Sequence, residues 1–202
     1  MKFILGTKVG MTQVFDAEGV CRPATILKVE PTTVTQVKTA AKDGYTAVQI
    51  ATGTASEQRL TKAEQGHRQA ALRFLREERL KSETTLPEAG QSYDVSVFAP
   101  GDTVAVTATS KGKGFQGVVK RHCFGGGRRT HGQKHSEREP GSIGSTGFMR
   151  VIKGTRMAGR MGGDTITVKN LKVLEVNPGA NLLLVSGAVP GRSGALVEVR
   201  AS

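Results

Sequence analysis

The chain has 202 residues, 37% of them hydrophobic, which is enough to bury a real core and well above what a disordered chain carries. Its net charge of +12 calls for a polyanionic partner. Only two cysteines are present, Cys21 and Cys123, far apart in sequence, which excludes a disulfide framework and fits a reducing cytosolic compartment. The opening apolar run is too short for a signal peptide, and no apolar window approaches the roughly 20 residues that span a bilayer, so no membrane partner is expected.

Aromatic residues make up 4% of the chain and tryptophan is absent, so the core must come from Val, Ile, Leu and Ala. The first hundred residues read as short strands. Phe3 to Leu5 and Thr12 to Phe15 come first, then Asp16-Ala17-Glu18-Gly19 as a hairpin connection. Ala24 to Val29 and Thr33 to Lys38 follow, and Asp43-Gly44 gives a second hairpin signal before Thr46 to Ala51. Arg68 to Lys81 (RQAALRFLREERLK) is rich in helix formers and predicts a solvated helix packed on the barrel. Its Arg73, Arg76 and Arg79 form a secondary candidate for RNA contact. Strand patterns return at Tyr93 to Phe98 and Thr103 to Ala108, then at Thr165 to Val168, Lys172 to Val176, Leu182 to Val185 and Leu196 to Arg200. Asn177-Pro178-Gly179 and Val189-Pro190-Gly191 punctuate them as turns. This rhythm suggests an antiparallel sandwich or barrel, and the simplest architecture is a β-barrel with a long segment inserted between two of its strands.

That segment runs from Lys111 to Arg160 and holds most of the excess charge. It has 12 Lys and Arg against two acids, Glu137 and Glu139, while the rest of the chain has 17 basic and 15 acidic residues. It also holds 12 of the 26 glycines, and its apolar residues are few and scattered. Fixing a backbone costs about 1–2 kcal/mol per residue, so a segment this poor in apolar area must be disordered alone or ordered by a partner. Arginine and lysine supply charge-assisted contacts to phosphate, and arginine adds stacking on bases. Glycine lets a backbone approach a nucleic acid closely. Segments of this kind fold on RNA. The candidate RNA-binding residues are Lys111, Lys113, Phe115, Gln116, Lys120, Arg121, His122, Arg128, Arg129, His131, Lys134, His135, Arg138, Ser142, Arg150, Lys153, Arg156 and Arg160.

Three motifs suggest other chemistry and fail. Gly112 to Gly117 fits G-x-G-x-x-G, but Val118 to Gly127 cannot sustain the helix a dinucleotide site needs. Cys123 with His122, His131 and His135 resembles a metal cluster, yet it lacks paired cysteines and sits among cations. Cys123 beside His122 is the one nucleophile-base candidate, with no third orienting group. Glu137 and Glu139 are expected to pair with arginines. No catalytic residue, cofactor, metal or small-molecule substrate is therefore expected. A translation factor would need a nucleotide-binding domain, and an RNA-modifying enzyme a cofactor pocket.

Several motifs in order resemble the bacterial large-subunit ribosomal protein L-three family. They are Gly6 to Gln13 (GTKVGMTQ), Ser110 to Gly117 (SKGKGFQG), Val119 to His122 (VKRH), Pro140 to Gly144 (PGSIG), Met157 to Gly163 (MAGRMGG), Asn181 to Val185 (NLLLV) and Gly187 to Gly191 (GAVPG). The similarity is loosest around Leu60 to Leu86. It implies a cytoplasmic structural constituent of the large ribosomal subunit that binds 23S ribosomal RNA near its 3′ end and nucleates assembly. It also implies a mainly β fold, a six-stranded closed barrel similar to elongation-factor second domains with a small helical insertion, a long extended loop reaching toward the peptidyl-transferase centre, and neighbouring ribosomal proteins fourteen and nineteen. The opening motif adds Lys8 to the candidate RNA contacts. Many bacterial members carry a methylated glutamine after the PGSIG run; here Ser145 stands there, so no such modification is expected. A chain this short looks bacterial. The division expected is residues 1–109 as the first part of the barrel with a helical insertion near 56–90, 110–163 as the loop, and 164–202 as the remaining strands.

Overall fold

The computed structural model describes residues 2–16, 18–68, 71–80 and 86–201. The chain divides into two compact units, one formed by Met1–Thr109 with Thr165–Ser202, the other by Ser110–Asp164. In chain order the elements are β1 (Phe3–Phe15), β2 (Cys21–Lys28), β3 (Thr32–Lys38), α1 (Ala40–Asp43), β4 (Ala47–Thr54), α2 (Lys62–Arg68), β5 (Leu72–Arg79), β6 (Ser92–Tyr93), β7 (Thr103–Thr109), β8 (Phe115–Gln116), α3 (Val118–His122), β9 (Gly159–Arg160), β10 (Thr165–Asn177), β11 (Leu182–Ser186) and β12 (Leu196–Ala201). Strand dominates.

In the first unit, six strands close into a ring in the order β1-β12-β7-β10-β11-β2, and β2 pairs back onto β1. All neighbours are antiparallel. β7 precedes the inserted segment and lies between β12 and β10, which follow it. The ring therefore cannot close without the residues after Asp164. Its interior is a hydrophobic cluster that includes Ile4, Leu27, Val104, Val106, Val173, Leu183, Val197 and Val199. Alternation along β1 puts Ile4 there while its neighbours Phe3 and Leu5 point the opposite way, into a second cluster with Val34, Val48 and Ile50.

That second cluster belongs to a four-stranded sheet, β5-β4-β3-β6, which the sequence reading does not anticipate. Its buried polar groups are matched. Thr35 Oγ1 donates to Gln49 Oε1 at 2.9 Å, and both residues are buried. Among the described residues no buried side-chain polar atom lacks a partner.

The expected helix from Arg68 to Lys81 is the main correction. The helix is instead α2, which ends at Arg68, and Leu72–Arg79 is strand β5 paired with β4 from Ala47↔Arg79 to Thr54↔Leu72. Gln69, Ala70 and Lys81 of that expectation lie outside the described residues, as does Ala17 of the expected hairpin link. Helix propensity loses to tertiary context: as a strand, the segment packs Phe74 against the Phe3, Leu5 and Ile50 cluster and leaves its charges on the sheet surface. α2 begins with a capping box in which Glu64 N donates to Thr61 Oγ1 at 3.3 Å and Thr61 N to Glu64 Oε2 at 3.0 Å.

Smaller differences have local causes. Phe3 to Leu5 and Thr12 to Phe15 fuse into one strand, because Gly6 sits where an added Cβ would lie 3.0 Å from Lys28 O and glycine allows the close approach. A bulge between Lys8 and Gly10 re-aims β1. Asp43-Gly44 ends the short helix α1, with Gly44 in the left-handed region, φ 77°. Thr165 to Val168 and Lys172 to Val176 also fuse, around a register shift between Val168 and Leu171. Tyr93 to Phe98 is strand only at Ser92–Tyr93; Asp94 then accepts from Ser96 N at 2.9 Å and starts a 3₁₀ turn at Val95–Val97.

Candidate nucleic-acid interface

The second unit, Ser110–Asp164, is held by backbone pairing at its base. Ser110 N donates to Asp164 O at 2.8 Å, Lys113 N to Met161 O at 2.9 Å and Met161 N to Gly114 O at 2.9 Å. The two-residue ladder of β8 and β9 then pairs Phe115 with Arg160 and Gln116 with Gly159. Gly162 makes the approach possible. Its φ is +75°, and a Cβ there would sit 2.2 Å from Lys111 O.

Beyond the ladder, Gly117 starts the five-residue helix α3, which Cys123 ends in the left-handed conformation, φ 59°. The G-x-G-x-x-G run thus leads into barely more than one turn. Val118, on α3, is 2% exposed and is the one buried hydrophobic side chain among the unit's described residues. Arg121 Nη1 donates to Met157 O at 2.8 Å, and His122 Nε2 lies 3.1 Å from the same oxygen. Gly159 leaves the space for that guanidinium, since a Cβ there would be 2.6 Å from Arg121 Nη1.

Further out the chain doubles back on itself. Gly127 N donates to Glu137 O at 2.9 Å, and Gly126 has φ +73° with the Glu137 carbonyl where a Cβ would be. Arg129 Nε meets Glu137 Oε1 at 2.6 Å, the arginine pairing expected for that acid. Between these contacts Arg128, His131, Lys134 and His135 stand exposed. Ser142 Oγ donates to Gly144 O at 2.9 Å. Ser145 precedes a 3₁₀ turn at Thr146–Phe148.

Of the 12 Lys and Arg between Lys111 and Arg160, only Arg121 and Arg129 hold a side-chain hydrogen bond or ion pair among the described residues. Lys111, Lys113, Lys120, Arg128, Lys134, Arg138, Arg150, Lys153, Arg156 and Arg160 are exposed and uncommitted. Gln116 turns inward, its Nε2 donating to Lys113 O at 2.5 Å. Phe115 is 77% exposed. Lys8 belongs to the first unit, where its ammonium donates to Val189 O at 2.6 Å and to Gly191 O at 3.3 Å.

Five of the segment's scattered apolar residues, Ile143, Phe148, Met149, Val151 and Ile152, none of them among the expected RNA contacts, are exposed in the same unit, Met149 at 98%. Their signal is their position, since apolar residues in a segment without a core have nothing of their own to pack on. No three His, Cys, Asp or Glu side chains converge as metal ligands among the described residues. The unit presents an unneutralised array of cations, open glycine backbone and bare apolar side chains.

Comparison with known sequences gives this arrangement a context. The profile of the family described as Ribosomal protein L3 matches residues 79–183. The chain is 48% identical to the large ribosomal subunit protein uL3 of Chlorobium limicola, over 98% of both chains. It is 47% identical to that of Synechococcus sp. (strain JA-3-3Ab), over 97% of this chain and 94% of the relative. It is 48% identical to that of Acidothermus cellulolyticus, over 99% of this chain and 92% of the relative.

Proposed function

The chain belongs to the ribosomal protein L3 family, and on that premise we propose that Lys111 to Arg160 binds large-subunit (23S) ribosomal RNA near its 3′ end and nucleates assembly around it. The protein is a structural constituent of the ribosome, not an enzyme. The observation that carries the RNA reading is the ten exposed cations without an internal partner, in a unit with a single buried hydrophobic side chain among its described residues.

Phosphate oxygens would take the uncommitted lysines and arginines. Phe115 and the arginine planes would stack on unpaired bases. The loop would extend toward the peptidyl-transferase centre and order RNA there without taking part in the chemistry. The closed ring would serve as a barrel of the kind found in elongation-factor second domains, with ribosomal proteins fourteen and nineteen as its neighbours. Arg121 would act from inside, by holding the loop's two legs together, and Lys8 would brace the turn at Val189 to Gly191 as well as meet RNA.

Hydrogen exchange on the full chain, free and with a 23S RNA fragment from the 3′ region, tests the reading. Protection of Lys111 to Arg160 that appears only with RNA supports it. A segment equally protected without RNA, or unprotected with it, overturns it.

A further inference from the structure

The N-terminal hairpin carries a feature that the loop does not explain. The ring contact between β1 and β12 ends at Thr7↔Leu196, with Lys8 N donating to Ala195 O at 3.0 Å and Gly194 N to Lys8 O at 2.7 Å. β1 nevertheless continues to Phe15, paired on one side with β2 as far as Cys21. Along Val9–Phe15 the other edge makes no backbone hydrogen bond among the described residues. At roughly 3.3 Å per residue this bare edge runs about 23 Å.

Its sequence, VGMTQVF, holds no charge and no proline. Val9 is 50% exposed, Met11 53%, Phe15 63% and, across the turn, Val20 48%. Met11, Gln13 and Phe15 share one face, beside Pro23 and Cys21 on β2. Met11, Thr12, Gln13, Cys21 and Pro23 line a shallow hollow there.

Free edges are ordinarily blunted by charge, proline or brevity. This molecule does so elsewhere. β5, an edge of the four-stranded sheet, carries Arg73, Arg76, Glu77, Glu78 and Arg79, and the opposite edge, β6, is two residues long. Val9–Phe15 has none of these three devices, only the bulge between Lys8 and Gly10 at its start, and has the composition of an aggregation-prone segment. Such an edge is tolerable when something covers it.

We propose that Val9–Phe15 receives an extended strand of a neighbouring protein in the large subunit by β-strand addition, with Met11 and Phe15 buried under that partner's apolar side chains. RNA is the wrong occupant: Lys8, at the near end, has its ammonium on Val189 O and Gly191 O, and from Val9 to Phe15 there is no cation to meet phosphate. The hairpin from Val9 to Pro23 carries Asp16, Glu18 and Arg22, and Arg22 is already paired with Asp16. Open alternating N–H and C=O groups beside an apolar face match a protein strand. The proposal requires only the family's place in the large subunit and stands apart from the loop's RNA contacts.

The test places benzoyl-phenylalanine at Met11 or Phe15 of the full chain in assembled large subunits, and reads both the photoadduct and hydrogen exchange. An adduct to one neighbouring ribosomal protein, mapped to an extended segment, is expected. So is at least 100-fold slower exchange, relative to the free protein, of the Val9–Phe15 amides that face away from β2. A Met11→Lys, Phe15→Lys double variant should keep the free protein's melting profile while its subunits hold several-fold less of that neighbour. Adducts to ribosomal RNA, to a second copy of this chain or to its own loop overturn the proposal. So do outward amides that still exchange fast in the subunit.

Discussion

The guanidinium of Arg121 reaches the backbone carbonyl of Met157, donating from Nη1 at 2.8 Å and tying α3 to the returning leg of the loop. A charged donor on a carbonyl in a partly buried site contributes on the order of 1–3 kcal/mol. Arg121→Ala should therefore loosen the pairing near Met157–Met161 and weaken binding to a 23S fragment by roughly tenfold, with little change in the melting of the first unit. Gly159→Ala should act through the same contact, because its Cβ would displace Nη1. The double variant should then be no worse than either single change. Binding titrations that show simple additivity would refute the shared mechanism.

Glycines in the loop divide by what surrounds them. Gly162 and Gly126 have φ of +75° and +73°, and an added Cβ at each would lie 2.2 Å from a backbone carbonyl, that of Lys111 or Glu137. Gly147 has nothing within 4 Å and no positive φ. Gly162→Ala and Gly126→Ala should each weaken RNA binding at least tenfold and open the loop of the RNA complex to limited proteolysis, whereas Gly147→Ala should leave both within about twofold. An equally large loss at Gly147 would mean that contact with the partner, and not backbone geometry, dictates these positions.

The ring is legible in the sequence because its strands alternate clearly. Val104, Val106 and Ala108 point inward on β7, and Val197 and Val199 on β12, with half-buried Thr107 and Glu198 and the small, buried Ala105 between them. The misreading of Leu72–Arg79 has an identifiable cause. Its residues favour a helix locally, and the interactions that make it a strand lie far off: Arg76 pairs with Glu198, and Glu78 with Arg200, each 122 residues away. The location of the candidate site is equally legible from charge. The division of labour within it is not, since whether an arginine is free or committed depends on a carbonyl such as Met157 O, which carries no mark in the sequence.

Acid stability follows from three carboxylates in the first unit. The hydrogen bond from the Lys38 ammonium to Glu77 Oε2, at 2.8 Å, holds Glu77 below the usual carboxylate range against the opposing effect of partial burial. Asp94 is held low by Ser96, and Asp102 by Lys2 and the Ala99 N–H. Each binds its proton more readily in the unfolded chain. Their contributions are thus complete above the unfolded values, near 4, and are lost as pH falls through the lower folded ones. The melting temperature should fall most steeply below about pH 4, and Glu77→Gln should shallow that fall while lowering stability at pH 7. Lys38 is shifted upward, chiefly by Glu77, so its contribution disappears only above the ordinary lysine range and leaves pH 6 to 9 flat. Calorimetric profiles of wild type and Glu77→Gln that run parallel from pH 3 to 7 would show that the pair is inert.

Salt dependence separates the loop's uncommitted cations from those with partners. Each phosphate neutralised by a lysine or arginine releases counterions and adds about 0.7–0.9 to the slope of log K against log salt. Lys120, Lys134 and Arg156 are exposed and unpaired among the described residues, so Lys120→Gln, Lys134→Gln and Arg156→Gln should each lower that slope by roughly one and weaken binding at low salt. Lys38→Gln provides the control, since Lys38 is engaged by Glu77 and Tyr45, and its removal should leave the slope unchanged. Arg129 lies between these cases: its Glu137 partner is retained after Arg129→Gln, so that variant should lose affinity both through a missing cation and through an acid left facing RNA. Its loss at low salt should exceed that of Lys120→Gln, and Glu137→Gln should bind more tightly than wild type. Filter binding of a 23S fragment across 50–300 mM salt reads all of these slopes. A slope that none of the loop substitutions changes would place the phosphate contacts outside Lys111 to Arg160.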